Sequence, residues 1–173
     1  MAWRVEVKGG KALEKALATA GKRAPQAMAQ ALSIEAESII TESKRELGGT
    51  GEGSGVDTGV LRATGNVQHP KHAVGAVSVT MGFGGPAAPY ALYLHEGTGP
   101  AVGRPPFHPP PEAFRDWSRR VLGDEGARFA VAASVGQKGL QPRKYLERPF
   151  RAARAGMSAR LARRIRTFMN WQE

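Results

Sequence analysis

The sequence predicts an α+β fold: a small antiparallel sheet packed by a long N-terminal helix, either continuous or a kinked pair, and by a long basic C-terminal helix. Three observations carry that expectation. Val77, Val79, Met81 and Phe83 alternate with Ala76, Ser78, Thr80 and Gly82, the period of a strand with one apolar face. Met28, Leu32, Ile39, Ile40 and Leu47 recur at helical spacing. Leu146, Phe150, Ala153, Met157, Leu161, Ile165 and Phe168 then follow one another in steps of three or four, the most regular stripe in the chain. At 173 residues one domain is expected over 1–173, since a chain of this size buries about 70% of the surface its unfolded form exposes.

The elements can be justified in order. Trp3, Val5 and Val7 alternate with Arg4, Glu6 and Lys8 as a strand wet on one side, ended by Gly9 and Gly10. Leu13, Ala16, Leu17 and Ala20 form a first helical stripe, and the pattern resumes after Pro25, which either begins a second helix or kinks a continuous one. Glu35, Glu37, Glu42, Lys44, Arg45 and Glu46 occupy mostly the other face, as on a helix lying against a sheet. Residues 48–56 are rich in glycine and read as a flexible loop. It is no phosphate loop, because no lysine follows the glycines and a helix precedes them.

Asp57 or Thr58 is placed to cap a turn that Leu61 anchors. Val67 is expected in the hairpin partner of the 76–83 strand, with 69–73 between them. Residues 88–99 form an apolar block bounded by Pro86, Pro89, Gly97 and Gly99. Its periodicity fits both a helical turn and a strand, while Pro89 at the start and Gly97 past the end favour a short helix. Tyr90, Leu92, Tyr93 and Leu94 should reach the core, with Glu96 at its edge. Proline crowds 99–111, which reads as an extended arm or loop, either a spacer or a contact arm. Within 112–136, residues 112–122 return to helical spacing with Phe114, Trp117, Val121 and Leu122, and 124–135 reads as a further helix with Phe129, Ala132 and Val135 facing inward. The basic helix should run over 147–171, past Pro149.

Charge is unevenly placed. The net charge of +10 divides into ten Lys/Arg against nine Asp/Glu over 1–103 and fifteen against six over 104–173, where arginine dominates. Such asymmetry points to a polyanion or to acidic faces of protein neighbours. Arg148, Arg151, Arg154, Arg160, Arg163, Arg164 and Arg166 cover much of the terminal helix, several three or four residues apart without acidic partners in sequence, a spacing that repels and calls for an external anion.

Cysteine is absent, which excludes disulfides and thiolate chemistry. The amino terminus shows no hydrophobic signal core, and the uncharged run 72–95 is broken by glycine and proline, so cytoplasmic residence and no membrane contact are expected. His69, His72, His95 and His108 with Glu96 and Asp57 match no ligand spacing, so no metal, cofactor or catalytic role is expected, and His95 reads as a packed or interface residue.

Three pieces stand in order: Val56-Asp-Thr-Gly-Val-Leu-Arg62, Pro89-Tyr-Ala-Leu-Tyr-Leu-His-Glu-Gly-Thr98 and Pro142-Arg-Lys-Tyr-Leu-Glu-Arg-Pro-Phe150. Together, over roughly residues 1–156, they resemble the neck and tail-completion (head-tail joining) proteins of long-tailed bacteriophages. Those proteins carry a Thr-Gly-x-Leu-Arg turn, a Tyr-Ala-x-x-x-Glu-x-Gly-Thr block and a Pro-x-x-Phe-Leu-x-Pro-Ala stretch. The matching positions are Thr58, Gly59, Leu61, Tyr90, Leu94, Glu96, Gly97, Thr98, Tyr145, Leu146 and Phe150. The chain departs from the family in reading Tyr145-Leu146 before its proline, and in the 99–136 insertion.

The resemblance implies a non-catalytic virion subunit, a neck, tail-completion or tail-terminator protein. It would form a hexameric or dodecameric ring between the portal or connector and the tail tube, assembled in the host cytoplasm around genomic double-stranded DNA. Arg151, Arg154, Arg160, Arg163, Arg164 and Arg166 are then candidates for contact with DNA or an acidic partner. Gly51, Gly53, Arg104, Pro105, Pro106 and Phe107 are candidates for arms reaching neighbouring subunits. The other class consistent with the charge is a basic protein that binds nucleic acid on its own, although no zinc, helix-turn-helix or RNA-module signature is present.

Overall fold

The computed structural model of the chain describes residues 2–8, 23–48 and 59–170. The expected 11–20 helix, most of the 48–56 loop with Gly51 and Gly53, and Asp57 and Thr58 lie outside the described residues.

The fold is α+β, as the hydrophobic periods require. Its sheet is built on β4 (Ala76–Gly82), which pairs antiparallel along its length with β1 (Ala2–Lys8). On its other edge lie two short strands, β2 (Asn66–Val67) opposite Gly82 and Met81, and β3 (Lys71–Ala73) opposite Ser78 to Ala76. Val67 is thus in the sheet as expected, but 71–73 is strand rather than connector. Val74 and Gly75 make the β3–β4 turn, with Gly75 at φ +71, and Pro70 stands where the ladder lapses between β2 and β3.

Val77, Val79, Met81 and Phe83 are buried beneath α1 (Arg23–Leu47), which contributes Met28, Leu32, Ala36, Ile39, Ile40 and Leu47. Pro25 lies in the first turn of this helix, where its missing N–H costs nothing. A single-turn helix, α2 (Val60–Ala63), follows Gly59 at φ +73 and buries Leu61. The Thr64 hydroxyl donates to the Leu61 carbonyl (2.7 Å) and accepts from the Gly84 amide (3.0 Å), tying this turn to the end of β4.

The 88–99 block resolves as a short helix, α3 (Ala91–Glu96), with Gly97 at φ +76 ending it. Beyond it, 99–139 is an excursion whose two ends meet. Thr98 and Leu140 exchange backbone hydrogen bonds (2.9 and 3.2 Å), and a methyl group on Gly139 would stand 2.0 Å from the Thr98 carbonyl oxygen. The excursion holds a 3-10 turn (Gly99–Val102), a mixed helical stretch over 111–122 and α4 (Arg128–Lys138).

The proline-rich 99–111 segment, expected as an extended arm or loop, lies against α4: the Phe107 amide donates to the Gly136 carbonyl (3.1 Å), and a methyl group at Gly136 would lie 2.2 Å from the Phe107 oxygen. One expectation fails here: of Phe129, Ala132 and Val135, expected to face inward, Ala132 is buried but Phe129 is 56% exposed, and Val121 and Leu122 are exposed as well. Phe129 instead lies under the Arg128 guanidinium, 4.5 Å from its ring centroid.

The terminal stripe is right, but the helix is two. α5 (Glu147–Arg154) and α6 (Met157–Asn170) are separated by Ala155 in an extended conformation and Gly156 at φ +71. Leu161 is buried against the core, while Phe150, Ala153, Met157, Ile165 and Phe168 pack along its margin.

Candidate interaction surfaces

The second and third sequence pieces meet at one junction. The Arg143 and Lys144 amides donate to the Leu94 and His95 carbonyls (3.0 and 3.2 Å), so 140–144 runs antiparallel to 94–98. Tyr145 enters the core behind it, its hydroxyl donating to the Ala91 carbonyl (3.0 Å) and its ring packing edge-on against Phe83 and His95. Burial pushes the Tyr145 phenol up to about 12. Glu96 accepts from the Lys144 ammonium, and that bond holds its carboxyl below the usual range while raising the lysine. Lys144, which adopts φ +50, also pairs with Glu147 at 3.4 Å.

Gly97 is obligatory here. Besides its positive φ, any methyl group would stand 2.6 Å from the Leu140 carbonyl oxygen. Of the family-motif positions, Leu61, Tyr145 and Leu146 are buried in the core, with Leu94 and Phe150 at its margin. Glu96, Gly97 and Thr98 bind the junction, Gly59 starts α2, and Tyr90 stands outside.

His95 is fully buried, with neither ring nitrogen hydrogen-bonded. Its Nε2 is 3.6 Å from Glu96, and burial keeps the imidazole's pKa low. It is a packed residue, as its neighbours in sequence imply. Among the described residues, no three His, Asp or Glu side chains come together as a metal site.

The outer side of α3 corrects the expectation that its large residues fill the core. Ala91 and His95, one turn apart, are the residues that face inward; Tyr90, Leu92 and Tyr93 are 40%, 45% and 57% exposed. The element thus turns its small residue and its histidine to the core and its aromatic and aliphatic bulk to water.

The arginines divide. Glu35, placed on the polar face by its charge, is buried on the stripe between Leu32 and Ile39. It receives Arg160 through Nε (3.1 Å) and a terminal nitrogen (2.9 Å), and Arg164 at 3.3 Å. Arg160 also donates to the Ala153 and Ala155 carbonyls, closing the end of α5. These two arginines are therefore internal clamps rather than free contacts, because a buried carboxylate demands cations beside it.

Arg151 pairs with Glu147 across one turn. Arg148, Arg154, Arg163 and Arg166 are exposed and make no ion pair among the described residues. Of the candidate arm residues, Arg104, Pro105 and Pro106 are exposed, while Phe107 is half-buried with its ring beside Gly99.

Sequence reasoning missed Glu35 and Lys144 as anchors. The first had a signal, since an acid three residues after Leu32 and four before Ile39 sits on the apolar stripe; the second had none. Among the described residues no helix is long and apolar enough to cross a membrane. No protein-family model, curated protein or solved structure matches the chain.

Proposed function

We propose that the chain is a structural subunit of the phage head-tail interface, a neck, tail-completion or tail-terminator protein that assembles with copies of itself into a ring around the DNA channel. The observation that carries this reading is the exposure of Tyr90, just before α3, and of Leu92 and Tyr93 on it, an element fixed at its base by Tyr145 and by the 94–98 to 140–144 pairing. An element tied down at its base, with apolar side chains exposed among the described residues, is what a subunit contact needs. Val121, Leu122 and Phe129, exposed on the 99–139 excursion, add apolar surface elsewhere on the same chain. Ring contacts are heterologous, so a subunit must offer two unlike faces. The order of the three sequence pieces supports the neck assignment specifically, with the portal or connector, stopper and tail-tube proteins as neighbours.

A basic protein acting alone on nucleic acid is the second reading, favoured by the four unpaired arginines of α5 and α6. Mass in solution separates the two. Sedimentation velocity on the purified chain should show a closed oligomer whose images are rings, and Leu92→Asp with Tyr93→Asp should shift it to monomer. A wild-type chain that is monomeric while binding DNA supports the second reading and contradicts the first.

A further inference from the structure

We infer that the outward face of α5 and α6 is a track for the sugar-phosphate backbone of duplex DNA, held without reading sequence by Arg148, Arg154, Arg163 and Arg166. The inference rests on the ring reading only for where the duplex comes from; the chemistry stands on the face itself. Arg163 and Arg166 are one turn apart on the side of α6 away from Leu161, and both are exposed. Arg148 and Arg154, at the two ends of α5, are also exposed. None of the four has an acidic partner among the described residues, whereas Arg160 and Arg164 are consumed by Glu35 and Arg151 by Glu147. The fold thus spends acids on three of the seven arginines and leaves four outward.

What lies between these four selects the partner. The exposed positions are small or hydroxylic: Ala152, Ser158, Ala159, Ala162 and Thr167. A protein interface would need aromatic or large aliphatic anchors at its centre, and the chain keeps those on α3 instead. Single-stranded nucleic acid would need aromatic faces to stack its bases, and these exposed positions offer none. Guanidinium groups separated by alanine and hydroxyl side chains permit close approach to phosphates and confer no base readout.

The test measures binding of the full chain to a fluorescent duplex of mixed sequence across a salt series, beside sedimentation of the same samples. The logarithm of the binding constant should fall linearly with the logarithm of salt, and Arg163→Gln with Arg166→Gln should flatten that slope by about two. AT-rich and GC-rich duplexes should bind alike. Arg119→Gln, which removes an exposed cation already paired with Asp116, should leave the slope nearly unchanged.

An unchanged slope in the double variant overturns the inference, as does an equal loss in the Arg119 variant. Stronger competition by polyglutamate than by duplex at equal charge also overturns it, and would assign the face to an acidic protein. Rings that ignore DNA overturn this inference and leave the proposed function standing; DNA-binding monomers do the reverse.

Discussion

At the scale of single residues, two buried polar groups decide most of what can be tested. Arg160 joins α1, α5 and α6 at once, through Glu35 and the carbonyls of Ala153 and Ala155. Its removal strands a carboxylate that is only 5% exposed, yet Arg164 remains beside it and Arg160 itself is 32% exposed. Arg160→Ala should therefore lower unfolding stability by about 2–3 kcal/mol, short of the cost of breaking a wholly buried pair. Arg160→Lys should recover little of this, because an ammonium cannot span the carboxylate and two carbonyls. Urea denaturation of the three proteins checks both expectations.

His95 makes the complementary case. Burial holds its folded pKa below the ordinary value of about 6.5, so the unfolded chain takes up a proton first as pH falls. Stability from this site is complete above pH 6.5 and is lost as pH drops toward the lower folded pKa. Denaturation midpoints at a series of pH values should show that fall. His95→Leu should remove the part of it between pH 6.5 and the onset of carboxylate protonation.

At the scale of elements, the chain's periods were legible wherever one face meets the core and the other meets water. The alternation of β4 and the stripes of α1, α5 and α6 all fell where the hydrophobic positions put them. The break between α5 and α6 was not legible, because the stripe crosses it in step, and one glycine in a helical pattern is ordinarily tolerated. What decides the break is Gly156 at φ +71, with its end closed by Arg160. Gly156→Ala should cost about 1 kcal/mol through backbone strain alone, since the nearest atom to the added methyl is an Arg160 nitrogen at 3.5 Å.

Where the proline-rich segment lies was not legible, for a related reason. Proline content forbids regular structure without saying where the chain lies, and Gly136 is what admits Phe107 to the surface of α4. Gly136→Ala should release 104–110 and raise its cleavage by protease while leaving β4 and α1 protected. Mass spectrometry of the fragments reads this directly.

At the scale of the whole molecule, the sequence assembled the candidate motif but misplaced its bulk. It put Tyr90, Glu96, Tyr145 and Leu146 in motifs without saying where they meet, and the structure buries Tyr145 and Leu146 in the core while Lys144 holds Glu96 beside them. It assigned Tyr90, Leu92 and Tyr93 to a core that holds Ala91 and His95 instead, because hydrophobicity alone does not fix which side chains of a short helix the fold turns inward. The arginine field was likewise visible as a total and divisible only once Glu35 was seen inside.

Both surplus surfaces, apolar on α3 and cationic on α5 and α6, follow if copies of the chain close on one another around a polyanion. Sedimentation velocity of the wild-type chain against the Leu92→Asp, Tyr93→Asp variant tests that claim most directly. The account predicts a discrete closed oligomer for the first and a folded monomer for the second. A wild-type chain that stays monomeric at every concentration, or a variant that assembles as well as wild type, would contradict it.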